Sequence, residues 1–129
     1  MPTPWTHADA WVLASLAGTS ADNCCALSEV VARADALNHA VLTEREFTTA
    51  LARLAAAGLA VAGPDGYALT PAGAALYEDR AGKGGWAESL PVGLRGHGEP
   101  PAAEPLELPP GEFDKAVAAY QAAVERALS

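Results

Sequence analysis

The chain has 129 residues, half of them hydrophobic by count but only 6% aromatic, and a formal net charge of −8. That length allows one domain with a modest core and some additional segment. The alanine-rich composition predicts a mainly helical protein packed through small side chains. The acidic balance repels phosphate backbones and so argues against avid, non-specific nucleic-acid binding.

The N-terminal stretch MPTPWTHADAW has no basic region followed by a long apolar run, so no secretion signal is expected. Thr6 is placed to cap a first helix, with Asp9 three residues on and favourable near the positive helix end. This helix is predicted to run to Ala17, with Trp11, Val12 and Leu16 as its apolar residues and Gly18-Thr19-Ser20 as its stop. Trp5 lies just outside it, as a core staple or as cover for a partner.

A polar turn from Gly18 to Asn23 leads to Cys24 and Cys25, the only cysteines. Adjacent cysteines make no disulfide framework, so two reduced thiols in a reducing cytoplasm are expected, with a thiol sensor or soft-metal site as the sharper alternative. His7, His39 and His97 show no zinc-type spacing with them, and no metal or cofactor is predicted. Leu27, Val30, Val31, Ala34 and Leu37 follow the helical period and mark a second helix, which Asn38-His39 ends. Val41 and Leu42 are expected to plug the corner before the third helix, as a helix-turn-helix requires.

The most informative stretch is Leu42 to Gly73. Thr43 and Glu46 form a capping box, and Phe47, Leu51 and Leu54 line one helical face before Gly58 closes the helix. Leu59 and Val61, then Tyr67 and Leu69, alternate as strands do on either side of Gly63-Pro64-Asp65-Gly66, which predicts a hairpin. Thr70 caps and Pro71 opens a fourth helix, ending near Asp79, with Leu76 and Tyr77 as its large residues.

The string ALARLAAAGLAVAGPDGYALTPAGAAL resembles the winged helix-turn-helix family, in particular MarR- and PadR-type transcriptional regulators. In those proteins a leucine-rich recognition helix ends in Gly-Leu, a short wing follows, and Leu-Thr-x-x-Gly opens the next helix. The matching residues are Leu51, Leu54, Gly58, Leu59, Tyr67, Leu69, Thr70 and Gly73. The resemblance covers about residues 5 to 82. It implies a mainly α fold, a winged helix-turn-helix domain with a two-stranded wing, here followed by a C-terminal amphipathic helix. It also implies a cytoplasmic, dimeric regulator that binds double-stranded DNA.

The expected organisation is a winged-helix domain over residues 1–82, a Gly/Pro-rich connecting segment over 83–111, and a terminal helix over 112–129. In the connecting segment, WAESLPVGL is expected to lie against the domain as a strand or loop, and GHGEPPAAEP to be extended and mobile or, alternatively, a docking peptide. In the last segment Phe113, Val117, Tyr120 and Val124 recur at four- and three-residue spacings, a seam of the coiled-coil type. So short a seam must bury itself, either on its own domain or, as the resemblance favours, on a second copy.

If DNA is bound, the third helix would enter the major groove. Arg45, Thr48 and Thr49 would read base edges or hold phosphates, and Arg53 would hold the backbone. The charges oppose this. Up to residue 82 the only cations are Arg33, Arg45, Arg53 and Arg80, Glu44 and Glu46 flank Arg45, and the hairpin carries Asp65 and no base. The alternative is an acidic winged-helix module that binds protein, with Trp5, Trp86 and the terminal seam as its surface. An enzyme is not expected. Gly82 to Gly85 lacks a phosphate-loop lysine and hydroxyl pair in the right frame, and no nucleophile stands with a base. No stretch is long and apolar enough to predict a membrane span.

Overall fold

The computed structural model describes residues 4–129; residues 1–3, where the reading of the leader begins, lie outside the described residues. Among the described residues, six helices and one two-stranded antiparallel sheet follow in the order α1 (His7–Ser15), α2 (Leu27–Asn38), α3 (Glu44–Ala56), β1 (Ala60–Gly63), β2 (Gly66–Leu69), α4 (Pro71–Arg80), α5 (Trp86–His97) and α6 (Glu112–Leu128).

α1 is the central helix, with α2, α3 and α5 packed against it. Its capping box is complete: Thr6 Oγ1 accepts from the Asp9 N–H at 3.3 Å, and Asp9 Oδ2 accepts from the Thr6 N–H at 2.8 Å. Every residue from Asp9 to Ser15 is buried, which a helix tolerates only when neighbours cover all of its faces. α2, α3 and α5 supply that cover. The indole N–H of Trp11 donates to the Ala34 carbonyl at 2.8 Å, so the largest α1 side chain carries no orphaned donor into the core. The helix stops at Ser15, two residues short of the expected end.

α2 presents Val30, Val31 and Ala34 inward and ends at His39, which takes the left-handed conformation at φ 53°. Of the two corner residues only Leu42 fills the core; Val41 stays 45% exposed. α3 starts on the predicted box, Thr43 Oγ1 accepting from Glu46 N–H at 3.1 Å and Glu46 Oε1 from Thr43 N–H at 3.0 Å. Phe47, Leu51 and Leu54 are fully buried, each removing apolar surface at about 1.5–3 kcal/mol.

The hairpin pairs Ala60 with Leu69 and Gly63 with Gly66 across the Pro64-Asp65 turn. A third piece of backbone joins it: Cys25 and Tyr67 exchange both main-chain hydrogen bonds at 2.8 Å. This close approach explains Gly66, because a Cβ there would stand 2.2 Å from the Cys25 carbonyl oxygen. Thr70 then caps α4, accepting from the Gly73 N–H at 3.1 Å, with Pro71 at the first helical position.

The segment WAESLPVGL is helical, neither strand nor loop. Trp86, Leu90 and Leu94 recur at four-residue spacing, and Leu90 and Leu94 are buried. Pro91 removes one intrahelical donor, a loss that docking against α1 and α4 outweighs. α6 packs on α2 of the same chain. One apolar cluster therefore takes residues from all three expected segments: Phe47 and Leu51, Leu90 and Leu94, and Phe113. No helix among the described residues is long and apolar enough to cross a membrane.

Candidate interaction face on α3

α3 has three flanks besides its core face, and the chain itself occupies two of them. On the first, Arg53 is 7% exposed. Its Nη2 donates to the Pro4 carbonyl at 2.6 Å and stands 3.3 Å from Asp9 Oδ2, while its guanidinium carbon lies 5.4 Å from the Trp5 ring centroid. The Trp5 indole N–H in turn donates to Gly98 O at 2.7 Å. Burial raises the Asp9 carboxyl above its ordinary value, and the Thr6 hydrogen bonds and Arg53 only partly offset it. Arg53 is thus an internal tie between α3, α1 and the N-terminal segment. Winding alone would leave it free for a phosphate contact; Pro4, Trp5 and Asp9 cover it instead.

On the opposite flank Thr48 is buried as well, at 6% exposure. Its hydroxyl donates back to the Glu44 carbonyl at 2.9 Å, and its own carbonyl accepts the Leu106 N–H at 3.0 Å. Thr48 therefore serves its own chain and is not presented as a reader of base edges. Leu106 belongs to an extended strap between α5 and α6. The strap leaves α5 where His97 Nε2 lies 3.1 Å from the Ala57 carbonyl, and it begins at Gly98 beside Trp5. Positions 53 and 48 lie about 140° apart around a helix. The two ends of the strap thus meet α3 on different sides, at Gly98 beside Trp5 and at Leu106 beside Thr48.

Between these flanks Arg45 is exposed and Thr49 half-buried, as expected. Both line an open groove of about 240 Å³ with Thr6, Asp9, Thr43 and Glu46, between the capped starts of α1 and α3. Arg45 is the one exposed cation of α3, with the exposed Glu44 and the half-buried Glu46 on either side. The β1–β2 hairpin carries Asp65 at its turn and no cation.

The terminal seam packs on its own domain, the other of the two routes its pattern allows. Phe113 is buried with its ring 6.1 Å from that of Phe47, Val117 packs on the core cluster, and the Tyr120 hydroxyl donates to Asp35 on α2. Only Val124 and Leu128 continue outward, exposed at the helix end. Trp5 and Trp86 are also half-buried on the core, with the Trp86 ring 5.1 Å from that of His7. Cys25 is buried and its thiol is pushed up to about 12, by burial first and then by a hydrogen bond to Glu29. No group of three metal-ligating side chains occurs among the described residues.

Sequence reasoning missed Leu106 and Leu108 altogether. The Leu-Glu-Leu alternation between prolines was a signal, since residues two apart on an extended chain face the same side. No family model, curated protein or solved structure matches the chain.

Proposed function

We propose that this chain is a winged-helix module that engages a protein partner, non-enzymatic and without a DNA-reading role. The observation carrying this reading is the fate of α3. Two of its four expected DNA contacts, Thr48 and Arg53, are spent inside the chain. The strap anchored on it at Thr48 contributes Glu99, Glu104 and Glu107 and no cation. Neutralising phosphates supplies most non-specific affinity, and one arginine between two glutamates supplies little of it. The resemblance of residues 5–82 to winged-helix regulators supports the winged-helix architecture, and the acidic surface around α3 supports a protein partner.

A second reading, a DNA-binding regulator, is favoured by one observation: Arg45 and Thr49 stand together at an open groove beside the first turn of α3. Titration of a fluorescent pool of the gene's own upstream DNA at two salt concentrations separates the two. No retention at low salt is the expected result. Salt-sensitive retention that Arg45→Ala removes would overturn the protein-partner reading and install the second.

A further inference from the structure

We propose that the flank of α3 around Thr48 is a docking site for an extended Leu-x-Leu peptide of a partner protein, and that the strap occupies it in cis. This rests on the protein-partner reading and names the partner's chemistry. The strap is held as a bound peptide is held. One main-chain bond, Leu106 N–H to Thr48 carbonyl, fixes its register. Leu106 and Leu108 both pack on the core cluster, while Glu107 between them is exposed. A backbone anchor with alternate side chains inserted is how extended peptides are recognised on a folded surface.

The rest of the strap adds little hold. Pro100, Pro101, Pro105, Pro109 and Pro110 have no N–H to donate, and Glu99, Glu104 and Glu107 make no ion pair among the described residues. Those prolines also preset an extended backbone, so little conformational freedom is lost when the segment seats. The same economy applies to a partner peptide of similar design. What the partner must overcome is tethering, since a cis segment on a short connection competes at an effective concentration of order millimolar. The strap thereby sets a threshold: a lone weak peptide stays out, and a partner with additional contacts displaces it.

The test uses the full chain and a labelled peptide of residues 99–111, EPPAAEPLELPPG, followed by fluorescence anisotropy. The chain carrying Leu106→Ser and Leu108→Ser should bind this peptide at least about tenfold more tightly than the wild type, because its own strap no longer competes. A peptide with both leucines changed to serine should not bind. Equal affinity for the two chains, or no binding to a variant that still unfolds cooperatively, overturns the proposal. Hydrogen exchange on the wild type decides the matter should the variant fail to fold. The Leu106 amide is expected to exchange at least about 100-fold faster than that of Leu51, through opening of the strap alone. Equal protection of the two amides overturns the proposal. Failure here, with no DNA retained, sinks the peptide class and leaves the protein-partner reading standing, whereas DNA retention removed by Arg45→Ala sinks that reading itself.

Discussion

Nη2 of Arg53 stands 3.3 Å from Oδ2 of Asp9, joining the last turn of α3 to the first turn of α1 with both side chains buried. A charge of this kind is held by its partner, so removing one side leaves the other desolvated and unpaired. Arg53→Met should lower stability by about 3–5 kcal/mol in urea denaturation at neutral pH. The double variant Asp9→Asn/Arg53→Met should cost less than the sum of the two single changes, since it leaves no unpaired charge. Strict additivity would show that the pair is not coupled.

The same carboxylate gives a pH dependence with a definite sign. Burial outweighs the arginine and raises Asp9 above 3.8, so the folded protein holds this proton more tightly than the unfolded chain does. The contribution from protonated Asp9 is complete below the unfolded value and is lost as pH rises through the raised folded value. Wild-type stability measured relative to Asp9→Asn should therefore decline as pH rises from about 4 through that window. A relative stability that climbs with pH would show that ion pairing, not desolvation, dominates.

Gly73 sits against the Leu59 backbone: a Cβ there would lie 2.0 Å from the Leu59 carbonyl oxygen. Gly73→Ala has no flexible side chain to displace and should cost about 1–3 kcal/mol, read as a lowered thermal midpoint. Gly96 is also helical, but a Cβ there meets nothing within 4 Å. Gly96→Ala should stabilise by about 0.5–1 kcal/mol. A reversal of this order would place α4 further from the hairpin than described.

The two neighbouring cysteines should differ in reactivity. Cys25 is buried with its thiol raised to about 12, and Cys24 is half-exposed beside the hairpin. Near neutral pH, a disulfide reagent should modify one thiol per folded chain within minutes, with the second reacting only on unfolding. Raising pH from 9 towards 12 should then destabilise the fold, because ionising Cys25 costs more in the folded state than in the unfolded one. Two equally fast thiols would contradict the placement of Cys25.

Phe113 anchors α6 through its contact with Phe47, and Tyr120 adds a hydroxyl bond to Asp35. Phe113→Ala should cost about 3–5 kcal/mol. Tyr120→Phe, which removes only the hydroxyl bond to Asp35, should lower the thermal midpoint far less than Phe113→Ala does. Sedimentation of the wild type at several concentrations gives an independent measure of whether Val124 and Leu128 add a contact between copies.

What the sequence determined was local. Thr6, Thr43 and Thr70 start helices because a side-chain oxygen three residues before an amide is a short-range fact, readable without the fold. The same holds for the hairpin around Pro64-Asp65 and for the apolar faces of α2 and α3. Proline and glycine content misdirected the reading of WAESLPVGL, where the four-residue spacing of Trp86, Leu90 and Leu94 carried the decision and packing against α1 and α4 enforced it. Which α3 residues face outward could not be settled by helical winding alone. Winding gives the angle of Thr48 and Arg53 about the axis, but not that Asp9, Trp5 and Leu106, each more than forty residues away in sequence, come to lie against them. Long-range contacts between separate elements decide such burial, and no local period encodes them.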